Sequence, residues 1–392
     1  MIKRARWWLL AGLVVVMAAG ILVAPRVAGE RMNPTLQAPP YQVSTRAQRL
    51  HASLFVSDLH ADSLLWNRDL ARQSTWGHVD VPRLIAGGVA LQAFTVVTQV
   101  PYGQNIESNP GDRDELTLLV VAGRWPFATW GSRLQRALYQ ARLLHQYEVA
   151  SGGQMFIITT RDDLETYVDL RQTNPAVTAG WLGIEGTQAL DGSVASLEPL
   201  DKAGFRMISI AHFVDTEFGG SAHGTAKGGL TPMGRELVGQ MEARHMLVDL
   251  AHASNQTIID VVAIAKKPVI VSHTGVRGTC NNTRNLDDDS LRRIAGTGGV
   301  IGIGYWTTAV CGPDADAIAR AIRYAVNLIG VDAAALGSDF DGNISAPFDT
   351  TGVVLVTDAL VRAGFSDVEI RKIMGENVLR VLRQSLPEGE KR

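Results

Sequence analysis

The chain has 392 residues, 46% of them hydrophobic and 39 of them glycine, which suits one large α/β barrel or two ordinary domains and excludes a disordered chain. A formal net charge of −2 and an isoelectric point near 6.5 leave no basic excess, so no nucleic-acid partner is expected.

At the N-terminus Lys3, Arg4 and Arg6 precede an uncharged run from Trp7 to Ala24. Such a run, as helix, spans about 27 Å, close to the hydrocarbon thickness of a bilayer. The basic residues keep this end cytoplasmic and place the body outside, on the periplasmic side. Export after signal cleavage is the rival, with small residues at Val27-Ala28-Gly29. The run is long for a signal core, which favours the anchor. The expected organisation is an anchor or signal segment over 1–26, a linker over 27–41 marked by Asn33-Pro34 and Pro39-Pro40, one catalytic body over 42–386, and a charged tail over 387–392.

A short helix is expected over Thr45–Ala52, then a strand ending at His60. Val89–Val97 reads as a second buried strand, followed by a polar loop from Tyr102 to Gly111 and helices near Asp112–Ala122 and Ser132–Ala150. Met155–Thr159 is a short strand leading to a helix over Asp162–Leu170. Apolar runs then alternate with helical stretches: Trp181–Glu185, Met207–His212, Met246–His252, Pro268–His273, Val300–Tyr305 and Ala335–Asp339. Alternation of this kind means βαβ units and a parallel sheet. With the first two strands there are eight repeats, the Phe156 run lying outside them. No glycine-rich phosphate loop follows the first strand, so a (β/α)8 barrel is expected rather than a doubly wound sheet. A last helix over Asp367–Gln384 opens with Ser366 and Glu369 in capping-box spacing and sets Val368, Ile373, Val378, Leu379 and Leu382 on its apolar side.

The chemistry lies where the runs end. The first closes in His60-Ala61-Asp62, and alternate residues of a strand share a side. Others close in Glu185, His212, His252, His273 and Asp339. Singly, each histidine reads as a hydrogen-bonded core residue and each acid as a helix cap. Together, at the carboxyl ends of parallel strands, they would be costly to bury around one point without a cation. The donors exceed what one tetrahedral zinc needs, so two metals sharing a carboxylate fit better, and Glu185 is the natural bridge.

These residues carry a resemblance. Asp58-Leu59-His60-Ala61-Asp62, Gly183-Ile184-Glu185-Gly186, Asp249-Leu250-Ala251-His252-Ala253-Ser254, Val271-Ser272-His273, Thr283-Arg284-Asn285 and Gly337-Ser338-Asp339-Phe340-Asp341-Gly342 resemble the membrane dipeptidase (renal dipeptidase) family of zinc peptidases. The resemblance runs from about Val56 to Leu382. It implies a (β/α)8 barrel with a binuclear site at its C-terminal face and hydrolysis of dipeptides. One Zn2+ would sit on His60, Asp62 and Glu185, the other on Glu185, His252 and His273. His212 matches the histidine that polarises substrate, Arg284 the arginine that holds the free carboxylate, and Asp339 the acid that handles protons. A hydroxide bridging the two metals would then be the nucleophile. Cys280 and Cys311 fall where family members carry a disulfide; two reduced thiols are the other reading.

The chain departs from the family after His212, where Phe213-Val214-Asp215-Thr216-Glu217 leads into a loop holding Gly219, Gly220, Gly224, Gly228 and Gly229. This loop should cover the site, and His223 within it reads as a solvated histidine. Tyr305 is near the pocket by position, without an assigned role. The alternatives are a related barrel amidohydrolase cutting a β-lactam or an N-acyl amino acid, and a non-catalytic peptide-binding barrel. Side-chain preference, the metal in vivo and subunit number are not legible; a homodimer is kept as a candidate.

Overall fold

The apolar runs become strands because both faces of the sheet they build are covered, so the runs need no polar alternation. A computed structural model describes residues 23–389 and shows β1 (Val56–Ala61), β2 (Val89–Val97), β3 (Met155–Ile157), β4 (Thr178–Glu185), β5 (Phe205–Ser209), β6 (Leu247–Asp249), β7 (Val271–Thr274), β8 (Ile301–Ile303) and β9 (Ala334–Leu336). Every residue of β1, β2 and β4 is buried. The result is an α/β fold with one parallel sheet, in the order β6-β5-β4-β2-β1-β9-β8-β7, and β3 pairs only with β4. The two end strands also meet: Leu250 N–H donates to the Ile270 carbonyl at 2.8 Å, and Ile270 N–H to that of Val248 at 3.0 Å.

Side chains alternate between two apolar layers. Leu59, Leu91, Trp181, Met207, Ile270 and Ala335 form one, closed by Val378, Leu379 and Leu382 from the C-terminal helix. Val56, Phe94, Ile184, Ile208, Val271 and Ile303 form the other, packed with helical Leu144, Leu237, Ile258 and Ile318.

The C-terminal helix differs from the single element read over Asp367–Gln384. The Ser366/Glu369 capping box forms, but helix Asp367–Arg371 passes through a π-turn at Lys372–Glu376 before Asn377–Ser385. Gly375 is the reason: a Cβ there would stand 1.8 Å from the Phe55 carbonyl, so the chain widens where it crosses the start of β1. Val368, read as apolar-facing, is 64% exposed, because it precedes the wider turn and stands about 200° around the helix from buried Ile370.

Most of the expected anchor lies outside the described residues; among those described, no helix is long and apolar enough to cross a membrane. The stretch read as a linker over 27–41 is fastened to the body. Helix α1 covers residues 23–32. Beyond it, Leu36 N–H donates to the Ala346 carbonyl (2.9 Å) and Ala346 N–H to that of Pro34 (3.0 Å).

Candidate metal centre

Asp62 follows β1, Glu185 ends β4, His212 and His252 follow β5 and β6, His273 lies in β7 and Asp339 follows β9. Parallel strands bring these ends to one side, the place where α/β folds bind ligands. Glu185 is at the middle. Its Oε1 lies 3.1 Å from His252 Nε2, 3.4 Å from His273 Nε2 and 3.7 Å from His60 Nε2; its Oε2 lies 3.2 Å from His212 Nε2. His60 Nε2 is also 3.4 Å from Asp62 Oδ1 and 3.9 Å from Asp339 Oδ1. Three sets have ligand atoms all within 4.8 Å of one another: His60, Glu185 and His273; Glu185, His212 and His252; His60, Asp62 and Asp339. The structure thus gathers every residue singled out from the strand ends, though these triplets divide them differently from the two ligand sets implied by the resemblance.

Supporting hydrogen bonds decide which ring nitrogens face inward. Ser272 Oγ donates to Asp249 Oδ2 at 2.6 Å, so its lone pairs accept from His60 Nδ1 at 3.1 Å and His273 Nδ1 at 3.0 Å. Both Nδ1 atoms then carry the proton, and both Nε2 lone pairs point at Glu185. His60 Nε2 has no hydrogen-bond partner, and His252 Nε2 stands 3.0 Å from His273 Nε2. Buried lone pairs facing each other across carboxylates are what a divalent cation satisfies, so the donor set fits one. Asp58 braces β1 beneath: its carboxylate accepts from His60 N–H (3.0 Å), Gln92 Nε2 (2.9 Å) and Ser338 N–H (3.0 Å). Ser272, Asp249 and Asp58 each lie in a motif named above, but the motifs' spacing signals only the ligands and not these supports.

The electrostatics agree. Burial opposes a charge on His60, yet Asp62 and Glu185 hold its proton on, with a pKa raised to about 10; a cation at the same point would take that proton's place. Burial lifts Glu185 well above the usual carboxylate range, helped by Asp62. Burial, then the Arg284 charge, keeps His252 neutral, and burial takes His212 down to about 3. Burial raises Asp339 to about 7, against the pull of His60 and with the push of Asp62.

Arg284 enters from the loop after β7. Its guanidinium donates to the His273 carbonyl at 3.2 Å, lies 3.2 Å from His252 Nε2 and stacks over Trp306 at 5.2 Å. Cys280 and Cys311 form a disulfide across a separation of 31 residues, tying the Arg284 loop to the segment after β8. Cross-linking a loop of that length stabilises by about 3–4 kcal/mol. The double variant Cys280→Ser/Cys311→Ser should lose that much in denaturant unfolding. Loss of less than about 1 kcal/mol would show the loop to be held by its other contacts.

Two positions differ from the reading of the sequence. His223 is fully buried, not solvated: its Nδ1 is 2.7 Å from the Ile106 carbonyl and its ring stacks on Phe213 at 4.9 Å. Tyr305 is buried against Phe340 and Phe348, and its neighbour Trp306 lines the cavity instead. That cavity, about 490 Å3, opens onto Asp62, Glu185, His212, His252, His273, Arg284 and Asp339. His252 (φ 60), Asp339 (φ 63) and Asp341 (φ 61) all have left-handed backbones.

Asp341 does not join the centre. Its carboxylate accepts from Ser63 Oγ (2.6 Å), Arg68 Nη2 (2.5 Å) and the His78 N–H (2.6 Å), and its own N–H donates to His78 Nδ1 (2.9 Å).

Known proteins resemble the chain in sequence and in fold. Dipeptidase tcpJ of Claviceps purpurea is 28% identical over 318 residues, covering 79% of this chain and 69% of that protein. Dipeptidase aclJ of Aspergillus oryzae is 27% identical over 367 residues, covering 88% and 80%. In fold, the chain is similar to a metallopeptidase from Rhodobacter sphaeroides liganded with a phosphinate mimic of L-Ala-D-Ala (TM-score 0.72, 23% identity, 85% of this chain and 99% of that one). It is also similar to the probable dipeptidase PvdM from Pseudomonas aeruginosa (TM-score 0.71, 17% identity, 87% and 98%). The family model for membrane dipeptidase, peptidase family M19, matches residues 44–390, and the chain belongs to that family.

Proposed function

We propose that this metallo-dipeptidase binds two Zn2+ bridged by Glu185 and hydrolyses dipeptides, holding the free carboxylate with Arg284. The observation that carries the reading is the ring of four imidazole nitrogens within 3.7 Å of the Glu185 carboxylate. One metal would rest on His60, Asp62 and Glu185, the other on Glu185, His252 and His273. When bound, the cations supply Lewis acidity that polarises the scissile carbonyl and acidifies water. The sheet whose end strands meet would close as a (β/α)8 barrel.

The chain's own groups divide the remaining work. Neutral His212 would donate a hydrogen bond to the developing oxyanion. Asp339, with a pKa near 7, accepts a proton from water and returns it to the leaving amine near neutral pH. Arg284 offers a planar fork suited to a carboxylate, so length is measured at the substrate's end. Anchoring by the N-terminal segment with the body outside the cytoplasm is part of the same reading; its supports are the basic-then-apolar N-terminus and a disulfide suited to an oxidising compartment.

Metal content and turnover of a dipeptide beside its C-terminal amide test this. Near two zincs per chain with cleavage of the free acid alone is the expected result; bound metal without dipeptide cleavage would move the substrate to another amide. Arg284→Ala should raise KM for the free acid roughly 10- to 100-fold, the value of a lost charged hydrogen-bond pair. An unchanged KM would remove the carboxylate role.

A further inference from the structure

We infer that helix α1 forms one wall of the substrate cavity and makes the site selective for dipeptides whose amino-terminal residue carries a large apolar side chain. The inference rests on the dipeptidase reading above. Helix α1 lies outside the residues 44–390 that match the family model.

Two stripes of α1 carry the argument. Residues four apart share one face of a helix. Ala24, Ala28 and Met32 line the cavity together with Leu65, Trp66 and Leu119. Gly29 and Asn33 are buried on the side that seats the helix, and Pro25, also buried, borders the cavity. A Cβ on Gly29 would come within 2.4 Å of the Trp76 ring and 3.1 Å of Trp66, so only glycine permits this approach. Asn33 then clamps the helix end, its Oδ1 accepting from Asn343 N–H at 2.9 Å, in the segment just beyond Asp339.

Position supplies the direction. Arg284 lies with His273 and Trp306, beside β7 and β8. Leu65 and Trp66 follow β1 and Val97 ends β2, strands that lie between β4 and β9 in the sheet order and are separated from β8 by β9. A dipeptide with its carboxylate at Arg284 and its peptide bond at Glu185 therefore turns its amino-terminal residue toward the apolar wall. A cavity of about 490 Å3 is larger than two small residues need, since pockets of roughly 300–1,000 Å3 hold drug-sized ligands.

The test uses the full chain in detergent, loaded with Zn2+, and compares kcat/KM for Phe-Ala and Ala-Ala. Wild type should prefer Phe-Ala by about tenfold or more, the range an apolar pocket delivers. Ala28→Trp fills the wall and should cut the Phe-Ala to Ala-Ala ratio about tenfold. Gly29→Val, which must push α1 off Trp76, should lower the same ratio by opening the wall; thermal melts report that both bodies stay folded. A wild type that cleaves both substrates equally well, or a preference that survives both variants, overturns the inference while leaving the dipeptidase reading intact. Cleavage of neither substrate by the metal-loaded wild type removes that reading and this inference with it.

Discussion

Glu185→Gln should lose bound metal and lower dipeptide turnover by about 10^3-fold or more, the scale seen when a group central to a concerted site is removed. The Glu185 carboxylate is approached by four imidazoles, and its Oε1 alone lies within 3.7 Å of three of them. An amide keeps the shape but offers one neutral oxygen where two charged ones stood. Elemental analysis of the purified variant beside a dipeptidase assay checks both halves. Full metal occupancy together with wild-type turnover would sink the bridging assignment. Loss of activity with both metals retained would instead make Glu185 a proton-handling group.

The second large effect lies beside the centre. Asp341→Ala should cost about 3–5 kcal/mol, because removing one partner of a buried ion pair leaves the other charge stranded. Arg68 is 6% exposed and donates to Asp341 Oδ2, while Ser63 and the His78 backbone point at the same carboxylate. Burial alone would raise the Asp341 pKa; Arg68 and His78 hold it below the usual range. A lowered folded-state pKa contributes stability above the ordinary carboxylate range, lost as pH falls through the folded value. Denaturant unfolding should therefore show a gap between wild type and variant that narrows on acidification. A gap under about 1 kcal/mol at neutral pH would mean that the Arg68 charge is relieved by water.

Asp339 and Asp341 also show where sequence reading stops. His60 lies in β1 and Asp62 one residue beyond it, and both reach the centre, as read from their spacing. The second pair is also two apart, but β9 ends at Leu336, and both acids sit in left-handed turns. Alternation no longer applies, so one carboxylate meets His60 and the other meets Arg68. Strand ends were legible because apolar runs closed by His or Glu carry their own signal. The burial of His223 was not, since its partners Ile106 and His252 come from distant loops. Nor was the seating of α1: a helix broken from the body by Asn33-Pro34 reads as a tether unless Trp66, Trp76 and Asn343 are known to be waiting for it.

The left-handed backbones at His252, Asp339 and Asp341 set this protein's heat tolerance against its chemistry. A side chain held there carries up to about 1–2 kcal/mol of strain, less for asparagine and aspartate, which visit this region more readily. Directed evolution that rewards survival at high temperature, with no demand for turnover, would be drawn among these three to His252 first, the only one that is not an aspartate. Selection for turnover would hold that ring in place, so the most valuable stabilising substitutions for a working catalyst should lie away from these three turns.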